Sequence, residues 1–267
     1  MHKNINNNIV KIIYLILVYL FLYLPILVLI IYSFNDSSFS LIWRGFTLQW
    51  YKNLLNNTDL QIIALHSLTI GVLSATIATI IGTIAAVSLY RYKFFGRKLL
   101  HSILFMLIVS PDIVTGISLL ILFSSIKIPL GFWSLLLSHI TFCLPFVIIT
   151  VYSRLSGTNK NFIEAAKDLG ATDFTIFNKI LIPLLWPAIL AGWLLSFTLS
   201  MDDVIISFFV TGPEFDVLPL KIFSMVRVGV KPEINALCSI MFIITIIIVL
   251  IYQLISWNKP GKNHHVQ

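Results

Sequence analysis

Three aspartates, Asp112, Asp202 and Asp203, lie inside long apolar stretches of this sequence. A carboxylate at bilayer depth is costly unless it is paired or hydrated, and such residues mark ion and substrate pathways by default. No lysine or arginine lies within the same stretches, so the compensating charge must come from elsewhere. A water-filled cavity that admits a cation fits this pattern, and an extended cation with several ammonium groups suits carboxylates at two depths.

The three acids also have structural interpretations. Asp202 and Asp203 could cap a broken helix or face an aqueous outer vestibule. Because adjacent helical side chains point about 100° apart, both cannot face a pathway equally. Asp112 follows Pro111, whose missing amide hydrogen frees a carbonyl and predicts a bend in that stretch. We expect Asp112 to lie deeper in the membrane and the pair to lie near the outer side.

Other polar side chains in the apolar stretches are weaker candidates. The hydroxyl of Ser200 could bond a substrate amine or its own helix. The ring of Tyr23 could attract an ammonium group, pack against neighbours or anchor at the interface. We expect His66 and His139 to be isolated polar residues that neighbouring helices satisfy. Neither the histidines nor the two cysteines show metal-ligand spacing, so no metal site is predicted.

Membrane helices must position these residues. Hydrophobic residues make up 58% of the sequence and charged residues only 11%, whereas roughly a quarter of a soluble domain is charged. Crossing a hydrocarbon core takes about 20 helical residues. Six runs are long enough, near residues 12–34, 62–90, 99–123, 132–152, 184–210 and 236–257. The prediction is an all-α polytopic membrane protein with six transmembrane helices, in which residues 1–267 form a single transmembrane domain.

The distribution of lysine and arginine predicts the orientation, because positive residues are retained on the cytoplasmic side. With the N-terminus inside, twelve of the 18 basic residues fall before residue 12, at 91–98, at 153–183 and after residue 257. Both termini are therefore expected in the cytoplasm. This topology accounts for the net charge of +7, and no stripe of basic and aromatic residues indicates a nucleic-acid partner.

The predicted cytoplasmic loop at 153–183 contains an unusually polar stretch at its end, NFIEAAKDLGATDFTIFNKILIP, residues 161–183. Asn161 and Glu164 form a variant of the capping box, and Gly170 is expected to end that helix with a left-handed residue. Thr172 is expected to cap a second helix that Pro183 closes. Each helix has an apolar stripe, formed by Phe162, Ala165, Ala166 and Leu169 in the first and by Phe174, Phe177 and Leu181 in the second. We call residues 161–183 the knob; a helix pair lying on the lipid surface is the alternative.

The knob resembles the EAA signature of the permease subunits of ABC importers. In that signature, E-A-A is followed by three residues, a glycine, nine residues and I-x-L-P. The matching residues are Glu164, Ala165, Ala166, Gly170, Ile180 and Pro183, and Ile182 replaces the usual leucine. The resemblance implies a coupling helix that sits in a cleft of a separate ATPase subunit and transmits its closure to the membrane helices.

The likeness covers nearly the whole chain. Segments such as SPDIVTGISLL, at 110–120, and GWLLSFTLSMDDVIISFFVTGP, at 192–213, resemble the permease subunits of spermidine/putrescine importers. The resemblance implies the type I (MetI-like) permease fold, a polyamine pathway and a bacterial inner membrane with its lipid. The partners it implies are a homologous second permease, two ATPase subunits and an extracytoplasmic polyamine-binding protein. Since the sequence has no G-x-x-x-x-G-K-[ST] pattern, no cofactor is expected in this chain, and ATP and magnesium are expected on the partner ATPase.

Other functions compete with this one. A permease for another small cationic solute fits the same acids, whereas an anion would need basic residues at depth. A proton-coupled carrier would also use buried acids but would not need the knob. A membrane enzyme with Asp202 and Asp203 as an acid/base pair would need further catalytic groups at that depth, and the sequence shows none. We therefore predict a transport subunit and not an enzyme.

Overall fold

A computed structural model describes residues 3–37, 42–158, 161–229 and 232–257 of the chain. Apart from two isolated β-bridges, Asn35 with Phe46 and Gly212 with Phe215, the regular structure in these ranges is helical. The helical elements, in chain order, are α1 (Lys3–Tyr32), α2 (Gln49–Asn56), α3 (Thr58–Arg91), α4 (Arg97–Val109), α5 (Asp112–Ser125), α6 (Phe132–Ser156), α7 (Asn161–Asp168), α8 (Asp173–Ile176), a π-helical turn (Phe177–Leu181), α9 (Ile182–Asp202), α10 (Ile205–Val210), α11 (Leu218–Val228) and α12 (Pro232–Trp257).

Long apolar helices dominate the described part of the chain. Five are long and apolar enough to cross a membrane: Val10–Tyr32, Thr58–Arg91, Phe132–Ser156, Asp173–Asp202 and Pro232–Ile251. A sixth crossing would combine α4 and α5, whose axes differ by 113° at a short break. That break lies at Ser110 and Pro111, so the bend expected before Asp112 is confirmed. It arises because proline has no amide hydrogen and its ring clashes with the carbonyl one turn earlier.

The apolar run at 184–210 is also interrupted. Helix α9 ends at Asp202, and α10 begins at Ile205. Between them, Asp203 has an extended backbone with φ −68° and ψ 122°. The adjacent acids therefore lie at a helix break rather than within one continuous helix.

The chain separates into two compact units, residues 1–61 with 222–250 and residues 62–221 with 251–267. In the first unit, the apolar side chains of α1 remain exposed, as in a helix that faces lipid or another subunit. The loop after α1 is organised by the buried Asn35 side chain, which donates a hydrogen bond to the Ile42 carbonyl and accepts one from the Arg44 amide, each at 2.8 Å. Tyr23 belongs to this unit, and the other predicted site residues belong to the second. The single-domain arrangement stays a prediction.

Small residues bring α3 close to its neighbours in the second unit. A Cβ atom at Gly82 would lie 2.7 Å from Cγ1 of Val147 in α6, and one at Gly71 would lie 3.0 Å from the sulfur of Met201 in α9. Ala75, between them on α3, is fully buried. Such close backbone approach is the usual basis of helix association in a membrane, where burying apolar surface gives little driving force.

Two apolar clusters form the core of the second unit. One includes Val147 and Val151 of α6 together with Ile176 of α8, and the other includes Leu135 of α6 together with Ile206 of α10. All five side chains are fully buried. The clusters hold the knob at one part of α6 and the short helix α10 at another, with a polar layer between these two parts of α6.

Candidate functional site

The break between α9 and α10 is built around the carboxylate of Asp203. Its oxygens accept hydrogen bonds from the amide of Ile206 (3.2 Å) and from the amide and hydroxyl of Ser207 (2.8 and 2.9 Å). These amides belong to the first turn of α10, which has no helical acceptors of its own. Asp203 is buried, with 8% of its surface exposed. Its geometry is that of the helix-capping interpretation, so its place in a pathway stays a prediction.

His139 links the break between α9 and α10 to its own helix, α6, and, through Ser200, to α3. Its Nδ1 atom lies 2.6 Å from Oγ of Ser200, and its Nε2 atom lies 3.1 Å from Oγ of Ser207 and 3.6 Å from Oδ2 of Asp203. The Ser200 hydroxyl also accepts a hydrogen bond from Ser74 of α3 at 3.2 Å. All five residues are buried. We call them the polar network; it joins α3, α6, α9 and α10.

Asp112 and Asp202 come together from different helices. Asp112 is the first residue of α5, Asp202 is the last residue of α9, and both are exposed. Helix α5 packs on α10, which follows Asp202 after a short break, so both acids lie in one region of the second unit. Neither exposed acid forms a salt bridge with any residue that the structure describes. Asp202 lies at the negative end of the α9 dipole, which adds to its charge, whereas Asp112 lies at the positive end of the α5 dipole, so a cation would gain most beside Asp202.

Close packing of α5 on α10 determines where Asp112 lies. A Cβ atom at Gly116, one turn after Asp112, would lie 2.7 Å from Cδ2 of Phe209 and 3.4 Å from the Cα atom of Ile206. Only glycine allows this approach without displacing the aromatic ring. Ile206 lies four residues after Asp202, so this contact places the first turn of α5, with Asp112, beside the break that Asp202 precedes.

The two weaker candidates occupy different surroundings. Ser200 is 5% exposed, and its hydroxyl is already used within the polar network. Tyr23 is exposed on α1 in the other unit, where its ring lies 6.3 Å from that of Tyr19. Substrate contact by Ser200 or Tyr23 stays a prediction.

The histidines were expected to be satisfied by neighbouring helices, and both have partners. His66 Nδ1 lies 3.3 Å from the Asp216 carbonyl oxygen, and its ring stacks on that of Phe215. His139, however, is not isolated but central to the polar network. The sequence gives little indication of this role, because serine is common in membrane helices. That His139 and the serines lie at the same depth follows only from how the helices pack. Among the described residues, no group of three or more His, Cys, Asp or Glu could hold a metal ion.

The knob begins as the sequence predicts. Gly170 has φ +80°, and its neighbour Ala171 donates a hydrogen bond to the Ala166 carbonyl at 3.0 Å, which closes α7. Thr172 caps α8, because its hydroxyl accepts a hydrogen bond from the amide of Thr175 at 3.3 Å. Asn161 is the first residue of α7 and adjoins residues outside the described ranges, so its capping role stays a prediction.

An ion pair that sequence analysis missed holds the knob to α3. Arg91, the last residue of α3, donates to Oδ1 of Asp173 at 2.5 Å, and the Tyr92 hydroxyl donates to Oδ2 at 3.2 Å. The Arg91 side chain is only 7% exposed, whereas that of Asp173 is 57% exposed. In the sequence, Arg91 indicates only the orientation of the chain, because no local pattern links it to a residue 82 positions away.

The apolar stripes expected on the knob are partly wrong. Leu169 is 89% exposed and Phe174 is 75% exposed. Two stripe residues, Ala166 and Leu181, are buried as expected, and Ile176, which neither stripe included, packs with them into the core of the second unit. Most of the signature residues lie on the exposed side, namely Glu164, Ala165, Gly170 and Pro183, while Ile180 is half-buried. The knob therefore presents a mixed apolar and polar surface, as expected of a docking surface.

Pro183 does not close a helix, contrary to the expectation. The helix that begins at Asp173 passes through the π-helical turn Phe177–Leu181 and continues as α9 to Asp202. Proline would normally clash with the carbonyl of Lys179, one turn earlier. The wider π turn accommodates that clash and leaves the helix unbroken. The second part of the knob, from Asp173, and Asp202 thus lie on one helical run.

A helical membrane subunit with a bent third crossing and an exposed, anchored knob has the architecture of an importer permease. Residues 78–257 match the family described as "Binding-protein-dependent transport system inner membrane component", and the chain belongs to this family. The expectation of a transport subunit, and not an enzyme, is thereby confirmed. So is the resemblance of the knob to the permease signature.

Several relatives are similar over almost their full length. The chain is 56% identical over 246 residues to the "Spermidine/putrescine transport system permease protein PotC" of Escherichia coli K12, covering 92% of this chain and 93% of that protein. The protein with the same description in Haemophilus influenzae is 50% identical over 252 residues, covering 94% and 96%. The "Putrescine transport system permease protein PotI" of E. coli K12 is 43% identical over 238 residues, covering 86% and 84%.

The fold also agrees with solved structures. The crystal structure of a bacterial ABC transporter involved in the import of the acidic polysaccharide alginate contains a chain with a TM-score of 0.73, 16% identity, and coverage of 97% of this chain and 99% of that one. An amino acid ABC transporter crystallised with histidines gives a TM-score of 0.60 at 16% identity, covering 79% and 99%. At this identity the similarity shows the fold alone, which is the all-α importer permease fold expected from sequence.

Proposed function

We propose that this permease carries linear polyamines, spermidine or putrescine, and that Asp112 and Asp202 line their pathway. The observation that carries the proposal is that Asp112 and Asp202 are exposed at the ends of two helices, without a salt bridge in the described part of the chain. A polyamine has ammonium groups several ångströms apart and can neutralise both carboxylates. The descriptions of the similar permeases, which name spermidine and putrescine, support this substrate class.

The proposed assembly pairs this chain with a homologous permease, two ATPase subunits and an extracytoplasmic polyamine-binding protein. ATP and magnesium belong to the ATPase, and the exposed surface of the knob docks in its cleft. The ion pair between Arg91 and Asp173 transmits the position of the knob to α3, and the unbroken helix transmits it to Asp202. We place the complex in the bacterial inner membrane, with the knob and both termini in the cytoplasm.

Reconstitution tests the function directly. The permease is purified together with its homologous permease, the ATPase and the binding protein and placed in proteoliposomes. The vesicles should take up labelled spermidine or putrescine only when ATP is inside them and the binding protein is outside. Uptake that follows a proton gradient without ATP would support the carrier alternative. ATP-dependent uptake of another cation, with no competition by polyamines, would retain the importer and overturn its substrate.

Orientation is tested by cysteine labelling. A cysteine at Gly157, at the end of α6 that carries the knob, should react with a membrane-impermeant maleimide only in opened cells or inverted vesicles. A cysteine at Ser125, at the exposed end of α5, should react in intact spheroplasts. Of the two native cysteines, Cys143 is buried and Cys238 is half-buried, so labelling of the parent chain in parallel measures the background. The reverse labelling pattern would contradict the proposed topology.

A further inference from the structure

A cavity of about 500 Å³ lies among α3, the loop that follows it, α6 and α7. Four basic residues line it, Arg91, Lys93, Arg97 and Lys167, with a single carboxylate, that of Glu164. The transport pathway proposed above does not use this cavity, since its acids lie at the other end of α9. The chemistry of its lining favours an anion.

The cavity keeps an excess of positive charge over its two nearby carboxylates, those of Glu164 and Asp173. Arg91 is held by Asp173, but Lys93, Arg97 and Lys167 form no salt bridge with the residues that the structure describes. Arg97 is half-buried, and its guanidinium group lies 3.5 Å from the Tyr152 hydroxyl, to which it donates. A positioned arginine offers paired donors that match the oxygens of a phosphate, and a nearby lysine adds a mobile charge.

The surroundings of the cavity indicate where the anion comes from. A second hollow, of about 680 Å³, adjoins along residues 93–99 and shares Lys93 and Arg97 with the first. Its apolar members face outward: Phe95 is fully exposed, and Leu99 is 64% exposed. Aromatic and basic side chains at the end of a membrane helix are typical of the lipid headgroup region. The apolar wall would contribute nothing to the binding of a soluble anion, whereas it would contact the acyl chains of a lipid.

We propose that this cavity binds the headgroup phosphate of an anionic phospholipid, with Lys93 and Arg97 as its principal contacts and the acyl chains along Phe95 and Leu99. The inference goes beyond the proposed function, because it requires only that α3 and α4 meet at a membrane surface. Since Glu164 and Lys167 of α7 form the opposite wall, the lipid would lie between the knob and α3 and bear on how firmly the knob is held.

The test uses the full complex in nanodiscs of phosphatidylcholine with phosphatidylglycerol, followed by native mass spectrometry of the released protein. The wild-type chain should retain phosphatidylglycerol. The double variant Lys93→Gln/Arg97→Gln should retain it on the order of twentyfold less, because each basic residue near an anionic surface contributes about fivefold. The matched control Lys11→Gln/Arg154→Gln removes two exposed charges on the predicted cytoplasmic side but outside the knob and the cavity, and should retain phosphatidylglycerol as the wild type does.

Each other outcome overturns the proposal. Equal retention by the two double variants would mean that the cavity binds no lipid. Loss of phosphatidylglycerol from the wild type on adding millimolar inorganic phosphate would identify a soluble-anion site. Loss of the ATPase with lipid retained would assign the cavity to a protein partner. If the double variant fails to assemble, the single variant Lys93→Gln, at an exposed residue, is used for the test. Bound lipid is counted on this chain whether or not an ATPase co-purifies. The lipid result is therefore independent of the proposed function.

Discussion

Replacing Asp202 by asparagine is expected to lower polyamine uptake at subsaturating substrate by at least about tenfold, with the complex still assembled. Asparagine keeps the size and much of the hydrogen bonding of aspartate but removes its charge. A tenfold loss corresponds to about 1.4 kcal/mol of transition-state stabilisation, which a close ion pair at a partly hydrated site readily supplies. Since Asp202 is exposed and forms no salt bridge with the residues that the structure describes, basal ATP hydrolysis should remain.

The structure provides a matched control one residue away. Asp203→Asn keeps an acceptor for the amides of α10, but its NH₂ group faces a donor in the buried polar network, so it should lower thermal stability more than uptake. Asp112→Asn should impair uptake as Asp202→Asn does, because both exposed carboxylates lie where α5 packs on α10 beside the break. Wild-type uptake rates in well-expressed Asp112→Asn and Asp202→Asn complexes would remove both residues from the pathway.

Replacing Gly170 by valine is expected to uncouple ATP hydrolysis from transport. The backbone at Gly170 has φ +80°, where a residue with a Cβ atom is strained by about 1–2 kcal/mol and a β-branched one by more. Such a penalty corresponds to roughly a 5- to 30-fold loss of the population with the native turn. The second half of the knob would then be misaligned, and substrate-stimulated hydrolysis in the reconstituted complex should fall by a similar factor.

Gly170→Asn is the control for this substitution, because asparagine tolerates the left-handed region better than other residues with side chains. No atom lies within 4 Å of a Cβ placed at Gly170, so the two variants differ in backbone preference and not in crowding. Asparagine should therefore retain most of the stimulated hydrolysis. Full stimulation in the valine variant, with the ATPase bound, would contradict a coupling role for the knob.

Local rules predicted the parts of the molecule that local interactions determine. The bend at Pro111, the left-handed Gly170 and the Thr172 cap each depend on residues within one helical turn, and all three are present. At Pro183 the local rule fails, because the π-helical turn relieves the clash with the preceding turn. That turn costs less free energy than ending a helix that is packed at the buried Leu185.

The polar network could not be predicted because its members come from four helices. His139 acquires its partners only when α6 packs against α9, and Ser74 joins them only because glycines and alanines let α3 approach. For the same reason, Asp202 and Asp203 stand out in the sequence, but the difference between their environments could not be predicted from it. One is exposed beside Asp112, and the other is buried under the first turn of α10.

The helical run from Asp173 to Asp202 sets the distance and the rotation between the knob and the Asp202 carboxylate. Its 30 residues span about 45 Å at ~1.5 Å per residue. Adding or deleting one residue would turn the acid by about 100° around the axis, away from Asp112. The π-helical turn, which already holds an extra residue per turn, is where such a change would be absorbed at least cost. Among permeases of this design, length differences should therefore collect outside the run, and chimaeras should exchange it whole.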